Sequence, residues 1–250
     1  MDGTVPPGAG IGARVHRKED ARHLAGHGQF VGDIRIAGMQ DVAFLRSPVA
    51  HARILARRKP ADAADRVFFL ADLAGVKPMV TRSAIPGYKL SEWPAMAAER
   101  VRYVGEIIAM CVAASRAEAE DLAERVEVDF DERPAITSCA AGRAEGAALL
   151  HEHWGDNLFL QTSFDTGLAP VAASAPVKVE LDLSCARQAM HPMEGKGVVA
   201  WWDHRAAQLV VHSSTQVPHL IRAGLAEFLG IPQAMVRVAP PDVGGGFGYK

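Results

Sequence analysis

The chain reads as an α+β protein, and three stretches predict it. Between Val101 and Pro134 an apolar run, a capped helical pattern and an alternating run follow one another, as in a strand–helix–strand unit. Between Val177 and Val238 short alternating runs surround one amphipathic pattern. The last of these runs, Met235 to Val238, passes into Val243-Gly244-Gly245-Gly246-Phe247-Gly248, a segment with almost no side chain.

Taken in order, residues 1–15 combine Gly3, Gly8, Gly10 and Gly12 with Pro6 and Pro7 and read as an irregular arm. Residues 17–24 suit a short polar helix before Gly26. Phe30–Ile36 and Gln40–Arg46 are strand candidates separated by the turn pair Ala37-Gly38. Val104–Ala113 is nearly continuous apolar sequence, expected of a strand covered on both faces. Ser115-Arg116-Ala117-Glu118 has the form of a capping box, and Ala119, Leu122, Ala123 and Val126 recur at helical spacing. Val126, Val128 and Phe130 then alternate with Glu127 and Asp129 as a half-exposed strand.

Residues 137–160, rich in alanine and glycine, read as a linker. Beyond it, Val177, Val179, Leu181 and Leu183 alternate with Lys178, Glu180 and Asp182, which predicts a strand with one wet face. Val198–Trp202 and Leu209–His212 predict a hairpin. Thr215 is a candidate N-cap for a helix that carries Ile221, Gly224, Leu225 and Phe228 on its buried stripe and ends at Gly230-Ile231-Pro232.

With 250 residues the chain has material for one or two domains, and its net charge of −2 gives no electrostatic case for nucleic acid or an anionic membrane. No apolar run is long enough to span a bilayer. The N-terminus shows neither a basic segment nor an apolar core of a signal peptide, so a cytoplasmic location is expected. The 3 cysteines (Cys111, Cys139 and Cys185) are scattered. Without a Cys-x-x-Cys pair they are unsuited to hold an iron–sulfur cluster or structural zinc. Among 10 histidines, His151 and His153 stand closest to a metal-ligand pair, but lack a third ligand nearby and read as loop. His51 reads as a structural hydrogen-bonding residue.

The glycine run exposes main-chain N–H groups and allows close approach of backbone to a ligand, although it lacks the Lys-Ser/Thr of a P-loop and the spacing of a dinucleotide fingerprint. Glu194, after Pro192-Met193, is either a buried general base or a structural acceptor, with the structural reading favoured. Gln216 stands where a strand gives way to a helix, and its amide both donates and accepts, which suits an oxo group or a pterin.

Six segments together resemble one family. They are Gly26-His27-Gly28-Gln29-Phe30-Val31-Gly32-Asp33, Arg46-Ser47-Pro48-Val49-Ala50-His51-Ala52-Arg53-Ile54, Val101-Arg102-Tyr103-Val104-Gly105-Glu106, Pro192-Met193-Glu194, Ser214-Thr215-Gln216 and Val243-Gly244-Gly245-Gly246-Phe247-Gly248. In order and spacing, and over nearly the whole chain, they are similar to the molybdenum hydroxylases, the xanthine dehydrogenase and aldehyde oxidase family. The resemblance implies an α/β hammerhead domain over 16–136, the linker at 137–160, and the first segment of a molybdopterin-binding α+β domain over 161–250.

It further implies a molybdenum–molybdopterin cofactor, as the plain pterin or its cytosine dinucleotide, contacted by Gln216, Gly245, Gly246, Phe247 and Gly248, with Gln216 and Phe247 beside the metal. The implied reaction hydroxylates an N-heteroaromatic, purine or aldehyde with water as oxygen donor. Electrons leave to a [2Fe-2S] subunit and an FAD subunit. No catalytic base is expected among these residues: because the sequence ends at Lys250, a second molybdopterin-binding chain is expected to supply it. Tyr249 departs from the family pattern, which has glycine there, so the loop edge is bulkier. A non-catalytic hammerhead scaffold, and an unrelated enzyme that cradles a nucleotide phosphate on the glycine loop, are the alternatives.

Overall fold

The computed structural model describes residues 11–13 and 15–250; most of the arm expected over 1–15 therefore lies outside the described residues. Two compact units form. One gathers Ile36–Gln188 and Ala223–Gln233; the other gathers the described residues up to Arg35 with Ala189–Arg222 and Ala234–Lys250. The described residues up to Arg35 are thus grouped with residues of the second half of the chain, whereas the family resemblance puts 16–35 with the hammerhead.

After a short helix α1 (Asp20–Leu24), the larger unit opens with β1 (Asp41–Arg46) and β2 (Ala52–Arg58), followed by β3 (Val67–Phe68), β4 (Met79–Thr81), β5 (Ser91–Trp93), β6 (Arg100–Val101) and β7 (Ile107–Ala113). Helix α2 (Arg116–Glu124) and β8 (Glu127–Glu132) complete the predicted strand–helix–strand unit. The strands form two three-stranded sheets, β1–β7–β3 and β6–β2–β8, and the pair β4–β5. β7 is covered on both faces, as its apolar run predicts. Ala109, Cys111 and Ala113 point into a core with Leu122, Ala123 and Val67, whereas Ile108 joins Ala52, Ala97 and Val101 in a second one. Ser115 Oγ accepts the Glu118 N–H (3.3 Å) and so caps α2.

Ile108 is fully buried, and truncating such a side chain removes its contacts and leaves a void. Ile108→Ala is expected to destabilise this unit by about 3 kcal/mol in chemical denaturation.

The sequence segments at 46–54 and 101–106 are joined here. Ser47 N–H donates to the Glu106 carbonyl and Gly105 N–H to the Ser47 carbonyl, both at 2.8 Å, and Gly105 adopts φ 92°, which glycine accepts without strain. Residues 137–160 belong to the same unit. Helix α3 (Cys139–Arg143) is capped by Ser138. The Asn157 side chain accepts from Leu150 N–H (3.0 Å) and donates to the carbonyls of Gly142 (3.1 Å) and Ala148 (2.9 Å).

The strand expected over Val177–Leu183 does not form. Beyond helix α4 (Leu168–Ser174) these residues are irregular, and their apolar side chains are exposed. Alternation fixes which side chains share a face, but a strand needs a neighbour for its main chain, and none of the described strands pairs with this segment. Likewise Phe30–Ile36 forms a 3-10 turn at Val31–Asp33 rather than a strand, because the Asp33 carboxylate turns back to accept the Phe30 N–H at 2.8 Å.

In the smaller unit β9 (Val198–Asp203) and β10 (Gln208–Ser213) form the predicted hairpin. Helix α5 (Pro218–Leu229) follows, its residues from Ala223 on being grouped with the larger unit, and β11 (Val236–Ala239) returns parallel to β10. Parallel neighbours need a crossover of this length, and α5 supplies it. Thr215 is not the N-cap: its hydroxyl accepts the Val217 N–H (3.1 Å) in a turn before the helix, and Pro218 takes the first helical position. Among the described residues no helix is long and apolar enough to cross a membrane.

Candidate functional site: a glycine ribbon and a free amide

Because β10 and β11 run parallel in register, with His212 beside Ala239, their carboxyl ends lie on one edge of the sheet. Ser214-Thr215-Gln216 leaves one end and residues 240–248 leave the other. The outer edge of parallel strands at their carboxyl ends is where β–α–β units bind ligands. Sequence separation hides this meeting; the crossover makes it.

At that edge main chain and amide meet closely. A Cβ added to Gly246 would lie 2.2 Å from Gln216 Oε1 and 2.7 Å from its Cδ, so only glycine fits while Gln216 keeps this position. The Gln216 side chain makes no hydrogen bond to protein among the described residues and is exposed, which leaves its amide free to donate and accept. Gly244 is as tightly constrained, since a Cβ there would stand 2.5 Å from Glu194 Cβ. Gly245 adopts φ 109° and its Cβ would meet Pro192 Cβ at 3.0 Å. Tyr249 N–H closes a turn on the Gly246 carbonyl at 2.8 Å. The two central residues, Phe247 (φ 51°) and Gly248 (φ 77°), have the left-handed backbone of a type I′ turn. Phenylalanine is costly there, and its ring is 71% exposed. Nothing lies within 4 Å of a Cβ placed on Gly248, so that glycine answers to backbone conformation rather than to close approach.

Two carboxylates hold the ribbon from behind. Glu194 accepts the Gly244 N–H (2.8 Å), the Lys250 ammonium (2.6 Å) and, more distantly, the Val31 N–H (3.4 Å), while its own N–H donates to the Gly244 carbonyl at 3.1 Å. Burial pushes the Glu194 carboxyl up, but the Lys250 ammonium and the two N–H donors outweigh it and hold the group below the usual glutamate range. Asp242 receives the Arg22 guanidinium on both oxygens (2.5 and 2.6 Å) and the Gln29 N–H at 2.8 Å. The Arg22 hydrogen bond foremost holds this carboxyl far below its ordinary value. Lys196 Nζ stands 4.4 Å over the Tyr249 ring, so the bulkier edge that Tyr249 creates is itself packed.

Of the residues singled out from sequence, Gln216 and Gly246 are thus brought together, with Gly245, Phe247 and Gly248 in the same loop. Glu194 serves as a structural acceptor, the reading favoured from sequence. Arg22, Asp242 and Lys250 were not legible: Arg22 and Asp242 are distant in the chain, and no local pattern pairs them. A carboxylate separated by one residue from the three consecutive glycines is the one signal that points to Asp242. His151 stacks on Trp154 (4.2 Å between ring centroids), and among the described residues no group of three or more His, Cys, Asp or Glu could hold a metal ion. A glycine-rich ribbon with an unpaired amide at its rim offers main chain and one donor–acceptor side chain to a polar organic group, and the molybdopterin that the family resemblance implies fits that set.

Two family models match the chain: aldehyde oxidase and xanthine dehydrogenase, a/b hammerhead domain, over residues 25–134, and molybdopterin cofactor-binding domain, over residues 150–250. The carbon monoxide dehydrogenase large chain of Hydrogenophaga pseudoflava is 31% identical over 265 residues, covering 97% of this chain and 32% of that protein. The nicotine 6-hydroxylase large subunit of Paenarthrobacter nicotinovorans is 34% identical over 256 residues, covering 96% of this chain and 30% of that one. The crystal structure of quinoline 2-oxidoreductase from Pseudomonas putida 86 superposes with a TM-score of 0.85 at 38% identity, covering 93% of this chain and 30% of its own. The 250 residues therefore span about a third of the length of these relatives. On two successive domain matches and the shared fold, the chain belongs to the aldehyde oxidase and xanthine dehydrogenase family of molybdenum hydroxylases and carries that family's hammerhead and molybdopterin-binding sequence.

Proposed function

We propose that the ribbon at 243–248 and the Gln216 amide hold one side of a molybdopterin in an enzyme that hydroxylates a small organic substrate. The observation that carries this reading is the packing of Gly246 against Gln216, with no room for a Cβ between them. When bound, the molybdopterin supplies a redox metal centre that accepts the two electrons of the oxidation. The chain's own residues bind and orient. Main chain at Gly245–Gly248 would hold the cofactor, with Phe247 and Gln216 at its metal end and the Gln216 amide offering a hydrogen bond to a polar atom there. Glu194 and Asp242 keep the ribbon at the right distance from behind and take no part in proton transfer.

The proton-accepting group for the reaction, and the remaining pterin contacts, are assigned to sequence outside these 250 residues. Iron–sulfur and FAD carriers are assigned to partner subunits, in keeping with relatives described as large chains and large subunits and with the scarcity of cysteine here. An N-heteroaromatic is the substrate class of first choice, because one relative is named for nicotine and another for quinoline. The cytosine dinucleotide form of the cofactor is an open arm of the same test.

The test is the composition of the purified complex: molybdenum by mass spectrometry of the metal, and the pterin by fluorescence after oxidation. Molybdenum and pterin in equal amounts, with turnover of an N-heteroaromatic, are expected. A well-folded complex devoid of both would replace this reading by a scaffold role. A co-purifying nucleotide in their place would assign the ribbon to a phosphate.

A further inference from the structure

On the sheet β6–β2–β8 the sequence puts cation against cation. Arg53 of β2 lies directly opposite Arg100 of β6 and, on its other side, opposite Asp131 of β8. Residues so paired share a face, and like charges there repel. Arg100 is relieved by Glu152, which meets its guanidinium at 3.0 and 3.1 Å, and Arg133 by Asp131 at 3.0 Å. The Arg53 side chain has no hydrogen bond or ion pair among the described residues. Three cations against two carboxylates leave one positive charge uncompensated.

A cavity of about 280 Å³ opens beside them, and Arg53, Arg100, Arg133, Glu152 and His51 line it. His51 is only 7% exposed. Its Nδ1 lies 3.1 Å from the Pro134 carbonyl, which can only accept, so Nδ1 carries the proton and Nε2 presents a lone pair. No protein donor among the described residues meets that lone pair. The cavity wall therefore offers guanidinium donors together with one neutral acceptor. That combination suits an anion that has both oxygens to accept and a hydroxyl to donate.

We propose that this cavity binds a protonated tetrahedral oxyanion, inorganic phosphate, which keeps a hydroxyl at neutral pH. Arg53 and Arg133 donate to its oxygens, and His51 Nε2 accepts its hydroxyl. Guanidinium forks match the spacing of phosphate oxygens. The Glu152 carboxyl is held below the usual range by its hydrogen bond to Arg100 first, with the charges of Arg133 and Arg53 adding to it, which places all three cations within electrostatic reach of one point. Sulfate offers the same oxygens but no hydroxyl at neutral pH, so the site discriminates against it.

The test uses the whole purified complex at constant ionic strength, titrated calorimetrically with inorganic phosphate, sulfate and AMP. Saturable phosphate binding is expected, with sulfate weaker, and Arg53→Gln is expected to weaken phosphate about tenfold or more. Arg133→Gln serves as the second variant should Arg53→Gln fail to fold. Arg58→Gln, which removes a surface cation already paired with Glu127 and Asp129, is expected to leave binding unchanged. AMP, whose phosphoryl group is largely a hydroxyl-free dianion at neutral pH, is expected to bind more weakly than phosphate, and AMP at least as tight would overturn the hydroxyl contact to His51. The proposal is overturned by the absence of saturable phosphate binding, by equal affinity for sulfate, by wild-type affinity in both Arg53→Gln and Arg133→Gln, or by an equal loss in Arg58→Gln. Molybdenum content is expected to be the same in every variant, which separates this outcome from that of the cofactor test.

Discussion

Glu194→Ala is expected to release the glycine ribbon from its support. The substitution deletes the acceptor for the Gly244 N–H and for the Lys250 ammonium. The Lys250 side chain is 0% exposed, so it would be left as a buried cation without a partner. Losing one member of such a pair costs about 3 kcal/mol, enough to raise the open population of the loop by roughly a hundredfold. Hydrogen exchange of a peptide covering 240–250 would read this directly, and wild-type protection in Glu194→Ala would remove the case for Glu194 as the anchor.

The same contact sets a pH dependence. The folded Glu194 carboxyl titrates below its unfolded value, so its contribution is fully present above the ordinary glutamate range and is lost as pH falls through the folded value. Asp242 is held lower still and keeps its grip on Arg22 further into acid. In wild type, protection of 240–250, corrected for intrinsic exchange, is expected to stay constant down to about pH 5 and to fall below about pH 4. In Glu194→Ala it is expected to show less of this fall.

Gly246→Ala is expected to leave the fold intact and to damage the site. The new methyl would meet Gln216 Oε1 and Cδ, the free end of an exposed side chain, which can rotate away at a cost of about 1 kcal/mol. Thermal stability should therefore change little. The rotation removes the Gln216 amide from the ribbon, and a polar contact misplaced by about an ångström costs on the order of a hundredfold in turnover. Gly244→Ala is the contrast: its methyl would overlap Glu194 Cβ and crowd the Glu194 nitrogen at 3.4 Å, so stability falls together with activity. The measurement is kcat/KM with molybdenum content beside the melting temperature. A Gly246→Ala complex with unchanged turnover and full molybdenum would end the assignment of this ribbon to the cofactor.

The legible part of the fold was the part with local causes. Ser115 before α2 and the unbroken apolar run of β7 each carry their own signal, and both formed as expected. Val177–Leu183 carries an equally clear alternation and formed nothing, because pairing is a property of two segments and sequence displays only one. Thr215 looked like a cap and is instead a turn residue, since Pro218 opens α5. In the site, Gly246 and Gln216 each stand in a segment with its own signal, whereas the contacts by which Arg22, Asp242 and Lys250 help hold the ribbon join residues remote in the chain.

Sequence by itself determined that this chain is α+β, that it carries family segments in a fixed order, and that a nearly side-chain-free stretch follows its last strand. Those facts depend on residue type and spacing alone. Only tertiary structure decided that this stretch meets Gln216, because the α5 crossover brings two carboxyl strand ends to one edge. Tertiary structure alone also decided that Glu194 supports the ribbon, because the Lys250 ammonium and the N–H groups it accepts from are assembled around it only by folding.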